Sequence, residues 1–240
     1  MSIKNITGKS DAYVVSEWHE RHRHPERPAA PSLDPAVTFS YQTGAGMREI
    51  APLAAQRLDQ TDFQERHPWT IYDQQLIEKA LEENLWPREL ASRITEDKRL
   101  FLDELVDDLL GLRPPSWVLV PQLVKTILRL AVAGHSILAG YGVTFVTAGL
   151  PNVFHVRLIG SLPRRIARIQ QRQNLAPEAA ARFIRNKDRG RERFVKAHFH
   201  ARLDDEMRYD LVLNTDHLSA PDAAAVIADA AHRFFNAKLH

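Results

Sequence analysis

The chain has 240 residues, 44% of them hydrophobic, enough for one sizeable core or for one core with a mobile flap. It contains no cysteine, which excludes disulfides and thiolate metal sites and permits a reducing cytoplasm; no apolar run approaches a membrane span and residues 1–18 carry no signal-peptide stretch, so a soluble, cytoplasmic protein is expected. The net charge is only +2, yet residues 59–112 carry 14 acidic and 6 basic side chains while residues 163–193 carry 10 basic and 3 acidic, and so dense a basic segment needs a partner or a reason.

Residues 1–35 hold no sustained period and end in ERPAAPSLDP, whose prolines block regular pairing. The expectation is a partly disordered extension with one short helix near Ala12 to His22. Within it, His19, His22 and His24 leave two readings open, a transition-metal site or a solvated tail that docks a protein partner or a second copy. From Val37 the pattern changes. VTFSY reads as a short strand, TGAG as a turn, and Ile50, Leu53, Ala54 and Leu58 fall at helical spacing. Pro52 removes one helical hydrogen bond, so the helix is expected to begin late or to bend there.

WTIYD (69–73) predicts a second strand, followed by an acidic helix over QQLIEKALEENL and another over Thr95 to Leu110 that Gly111 and RPPSW stop. A helix over Val120 to Val132 leads into HSILAGYG, a buried strand meeting a glycine turn. NVFHVRLIG (152–160) is a further buried strand, on which His155 reads as a hydrogen-bonded core histidine or a catalytic base. SLPRRIARIQQRQ then predicts a helix with Ser161 as N-cap and Pro163 in the first turn. Basic helices over 177–199, a last strand in RYDLVLNT (208–215) and a closing helix with Ser219 and Asp222 spaced as a capping box complete the order.

Near-continuous apolar strands separated by helices argue for an α/β, doubly wound parallel sheet with helices on both faces. Ligands in such sheets bind beyond the carboxyl ends of the strands, where the TGAG, GYG and IGSLP turns fall. In TGAGMRE, Gly44 and Gly46 let the backbone approach an anion just where a helix begins, or else merely make a tight turn. A standard phosphate loop follows its last glycine with lysine and a hydroxyl residue; this chain has Met47 and Arg48 there. Asp73, after its strand, reads as a helix N-cap or as a carboxylate available to a ligand.

Taken together, FSYQTGAGMREIA, IYDQQLIEKALEE, ILAGYG, NVFHVRLIGSLPRRIARI, AARFIRNKDRGRERF and YDLVLNTDHLS resemble, in order and spacing, the cytidylate kinase-like family, a branch of the nucleoside monophosphate kinases, over about Val37 to Phe235. The resemblance implies a P-loop NTPase-type domain over 36–240, with a monophosphate-binding flap (about 71–112) and a basic lid (about 174–207). It implies ATP and Mg²⁺ as cofactors and a nucleoside monophosphate such as CMP as acceptor; the alternative is a catalytically weak nucleotide-binding module. Thr43, Gly44, Ala45, Gly46, Met47 and Arg48 would cradle the donor phosphates. Asp188 and Arg191 match the family's D-x-x-R pair, which with Asp73 and Tyr141 would hold the acceptor. Arg48, Arg185 and Arg191 would stabilise the transferring charge, as arginine's planar fork suits phosphoryl oxygens.

Three positions depart from the family's pattern. Arg48 stands where the family also has arginine, but Met47 replaces a glycine, and Tyr41 and Tyr141 replace arginines. Changing Asp188 and Arg191 together to alanine is expected to abolish acceptor binding and leave the fold intact. Nucleic-acid binding by the basic segment is disfavoured by sparse aromatics and near-neutral total charge.

Overall fold

The structure, a computed structural model, describes residues 32–61, 67–73, 98, 102, 120–140 and 142–238. The expected extension to residue 31, the two helices after Asp73 and most of the expected flap lie outside the described residues, as does Tyr141. Five strands form one sheet: β1 (Ala36–Tyr41), β2 (Thr70–Tyr72), β3 (Ser136–Ala139), β4 (Val153–Ile159) and β5 (Leu211–Asn214). Their order is β2-β3-β1-β4-β5 and every pairing is parallel.

The strands are apolar on both sides because helices cover both faces. On one face, Val37, Phe39, Ile137, Phe154, Val156 and Leu158 pack against α1 (Met47–Thr61) and α6 (Ala220–Lys238). On the other, Ala36, Leu138 and Val153 meet α2 (Val120–Ala133) and the single-turn α3 (Val143–Val146). Phe39, fully buried, and its equals each contribute about 1.5–3 kcal/mol by leaving water. The remaining described helices, α4 (Leu162–Gln173) and α5 (Pro177–Phe199), pack on one another through Ile169, Ala180 and Ile184.

Two local expectations are revised. α1 begins at Met47 and continues past Pro52, so it does not begin late. The carbonyl that Pro52 leaves without its helical donor belongs to exposed Arg48, and Pro52 is itself exposed, so water can take the missing bond. The basic segment 177–199 is one continuous helix of 23 residues. At the last helix, Ser219 Oγ accepts from the Asp222 N–H at 3.2 Å, the predicted half of a capping box.

Candidate active site

Because all strands run the same way, the turns after them gather at one edge of the sheet: residues 42–46 after β1, Asp73 after β2, Gly140 and Gly142 after β3, Gly160 and Ser161 after β4, Thr215 and Asp216 after β5. β1 is flanked by β3 on one side and β4 on the other, the switch point at which such sheets open a crevice. The glycine loop sits there. Gly44 and Gly46 have φ of 84° and 90°, left-handed values that only glycine adopts without cost. The loop closes with Ala45 N–H donating to the Gln42 carbonyl at 3.0 Å, and α1 starts with Ile50 N–H on the Gly46 carbonyl at 2.9 Å. Among the described residues no hydrogen bond occupies the N–H groups of Gly44, Gly46, Met47 or Arg48, so they remain available at the positive end of α1.

Asp188, on α5, ties this loop to the basic helices. Its Oδ1 accepts from the Thr43 N–H at 2.8 Å, from Thr43 Oγ1 at 2.7 Å and from Arg191 Nη1 at 3.1 Å. Its Oδ2 accepts from Arg165 Nη1 at 2.6 Å. Arg191 also donates to Thr43 Oγ1 at 2.8 Å, and its guanidinium stands 4.3 Å from the centre of the Tyr41 ring, within cation–π range.

Arg165 and Arg168 follow Pro163 in the first two turns of α4, three residues apart, and so point the same way. Arg165 donates to the carbonyls of Gly160 (3.0 Å) and Thr43 (3.3 Å); Arg168 donates to Thr215 Oγ1 (2.9 Å), the Thr215 carbonyl and the Gly44 carbonyl (3.3 Å). α4 approaches so closely that a Cβ on Gly44 would lie 2.7 Å from the Arg165 carbonyl oxygen.

Ser161 is the N-cap of α4, with Pro163 in the first turn, yet its side chain makes no capping bond. Asp216 does that work from the neighbouring loop, both carboxylate oxygens accepting from the Ser161 N–H at 3.0 and 3.1 Å. The hydrogen bond to Ser161, foremost, holds the Asp216 carboxyl below its ordinary value. A depressed carboxyl stabilises the fold above its unfolded value and ceases to do so as the pH falls through the lower folded value. The urea midpoint of Asp216→Asn should therefore lie below that of the parent at pH 7, with the gap closing below about pH 4.

Two cavities flank the glycine loop. One, about 380 Å³, lies on the β3 side and is lined by Ser40, Tyr41, Gly140, Thr144, Arg191 and Phe194 among others. The other, about 370 Å³, lies on the opposite side, between Gly46, Glu49, Arg168, Arg172, Thr215 and Leu218. The basic helices thus border both.

The family model of the cytidylate kinase-like family matches residues 36–217, which includes the whole sheet, the glycine loop and both basic helices. The chain belongs to the cytidylate kinase-like family. Among solved structures 13 chains match. An uncharacterized protein from Eubacterium ventriosum ATCC 27560 superposes with a TM-score of 0.62 at 13% identity, over 83% of this chain and 99% of that chain. TT1252 from Thermus thermophilus aligns with a TM-score of 0.43 at 16% identity, over 87% of this chain and 100% of that one. No curated protein matches.

Of the residues that the cytidylate kinase-like pattern singles out, Thr43, Gly44, Asp188 and Arg191 come together in one cluster, joined by Arg165 and Arg168. Ala45 and Met47 turn their side chains into the core, 1% and 7% exposed, and offer the loop only backbone. Met47 in place of the family's glycine is thus a packing residue of the α1 layer. Arg48 and Arg185 are exposed and, among the described residues, join no ion pair. Asp73 is half-buried at the end of β2. His155 is hydrogen-bonded through Nδ1 to Thr38 Oγ1 at 2.8 Å, in keeping with a core histidine. Sequence reasoning placed Arg165 and Arg168 on a basic helix without seeing that they clamp the loop; their three-residue spacing after a proline is the signal that carries it.

Proposed function

We propose that this protein is a nucleotide kinase that transfers the γ-phosphoryl group of ATP to a nucleoside monophosphate. The observation that carries the reading is the pair of cavities on either side of the β1 end and its glycine loop, one bordered by Tyr41 and the other by Gly46, since phosphoryl transfer needs a donor and an acceptor on the two sides of one phosphate-binding turn. The donor enters the cavity beside Gly46, Arg168, Arg172 and Thr215, its phosphates reaching the open N–H groups of residues 44 to 48. The acceptor enters beside Tyr41 and Arg191.

In this reading α5 acts as the lid. Arg191 reaches over Tyr41, so a lid arginine brings positive charge to a position where the family keeps arginine on the strand. Asp188 orients Arg191 and Thr43, and Arg165 fixes Asp188. Arg48, at the start of α1, and Arg185, on α5, are exposed and would close on phosphate oxygens when ligand arrives. Among the described residues no three metal-ligating side chains gather, so Mg²⁺ fits as an ion carried on the nucleotide phosphates, with Asp73 as the carboxylate closest in sequence to the sheet edge. When bound, Mg²⁺ neutralises charge on the transferring phosphoryl group.

A second reading, a nucleotide-binding module with weak or no catalysis, is favoured by the Asp188 carboxylate occupying the Thr43 N–H and by Tyr41 supplying no charge of its own. The two are separated by monophosphate-dependent release of ADP from ATP and Mg²⁺, expected well above buffer for a kinase.

A further inference from the structure

Arg191 is tied to the glycine loop through a single nitrogen. Its Nη1 donates to Thr43 Oγ1 at 2.8 Å, to Asp188 Oδ1 at 3.1 Å and, more weakly, to the Tyr41 carbonyl at 3.4 Å. Among the described residues its Nε and Nη2 donate to nothing, although the side chain is only 24% exposed and borders the cavity on the β3 side. Those two nitrogens form the side edge of the guanidinium, a parallel pair of N–H groups that matches two oxygens of a phosphate. Three bonds that share one nitrogen fix a point and leave the plane of the fork able to turn about it.

Tyr41 supplies the second restraint. It is the last residue of β1, half-buried, and packs against the core on the α1 and α6 side, so its ring has a fixed seat. The Arg191 guanidinium carbon stands 4.3 Å from the centre of that ring. The Tyr41 hydroxyl makes no hydrogen bond among the described residues, so the ring face is what meets the cation. Residue 41 is also where the family's pattern has arginine. A guanidinium there would stand beside Arg191 as a like charge, whereas an aromatic face attracts it.

We propose that Tyr41 is a positioning residue whose ring holds the Arg191 guanidinium in one orientation before ligand arrives, leaving Nε and Nη2 for the phosphate of the acceptor. A long arginine side chain gives up rotamer freedom when it binds an anion; one already held gives up less, and the difference appears as affinity. This inference rests on the acceptor-site reading above.

The test is calorimetry of the full chain with ribose 5-phosphate and CMP, on the parent, Tyr41→Leu, Tyr41→Met and Tyr41→Phe, and on Arg191→Ala with and without Tyr41→Leu, each variant first shown by thermal melting to be folded. The two variants without a ring should bind both compounds about tenfold more weakly than the parent, by the same factor for each, and Tyr41→Phe should recover most of that loss because it keeps the ring face. With Arg191 already changed to alanine, Tyr41→Leu should cost no further affinity. Undiminished binding without the ring overturns the proposal. So does a loss confined to CMP, which would make Tyr41 a surface for the base, or an equal loss in the Arg191→Ala background, which would make it a support of the loop. Tyr41→Phe binding as weakly as Tyr41→Leu also overturns it, since the hydroxyl would then be the working part. Each of these outcomes leaves the acceptor site standing, whereas a folded parent that binds neither compound overturns the acceptor-site reading together with this one.

Discussion

Asp188→Ala should cost about 3 kcal/mol of folding free energy, in addition to weakening acceptor binding. The carboxylate takes four donors, two from Thr43 and one each from Arg165 and Arg191, and it is 20% exposed beside an Arg165 side chain that is 11% exposed. Removing it leaves a guanidinium and a backbone N–H without their shared acceptor in a place that water reaches poorly. The expectation from sequence, that the Asp188 and Arg191 pair can be deleted with the fold intact, is therefore narrowed: only Arg191→Ala, which still leaves Asp188 its bond to Arg165, should keep the fold's stability. Urea denaturation checks this: Asp188→Ala and Arg165→Ala should each lower stability, and the double variant should lose less than their sum because each single change strands the other's charge. An unchanged midpoint in Asp188→Ala would mean that the cluster contributes nothing to the fold.

Gly44→Ala should be as damaging, by another route. The left-handed φ of 84° costs an alanine about 1–2 kcal/mol, and the added Cβ would lie 2.7 Å from the Arg165 carbonyl oxygen, a backbone atom with no rotamer to escape through. Either the loop or α4 must retreat, and with it go the Arg165 and Arg168 bonds to the Thr43 and Gly44 carbonyls. The total should be about 3 kcal/mol, with phosphate affinity lost alongside. Gly190→Ala is the control of opposite sign: it sits inside α5 with nothing within 4 Å of its added Cβ, and should stabilise by up to about 1 kcal/mol. A Gly44→Ala protein that melts like the parent would show that α4 is not seated on the loop.

How much of this was legible in the sequence depends on the range of the interactions. All five strands were readable: β1, β3 and β4 because strands buried on both faces are written as apolar runs, β2 and β5 as short β-rich runs at the sheet edges, and the glycine loop because two glycines separate a strand from a helical period. Pro52 misled the placement of the α1 start, since the proline lies on the wet side where its missing bond costs little. Asp188 was picked out by its match to the family's D-x-x-R pair, but its bond to Thr43 spans 145 positions and no local pattern encodes it. The same holds for Asp216, which caps α4 from 55 residues away while the expected cap, Ser161, keeps only its position. Arg157 was passed over as one polar residue in an apolar strand; only the register shows that it lies opposite Ser40, to which it donates a hydrogen bond.

Release of ADP from ATP and Mg²⁺, screened against UMP, dTMP, CMP, dCMP, AMP, GMP and buffer alone and run beside Arg191→Ala, tests the central claim most directly. A kinase built as described should turn over with at least one monophosphate well above buffer, and Arg191→Ala should reduce that rate by about 10³-fold. A flat panel from a protein that still binds ATP or a monophosphate by calorimetry would contradict phosphoryl transfer and leave the glycine loop as a holder of nucleotide.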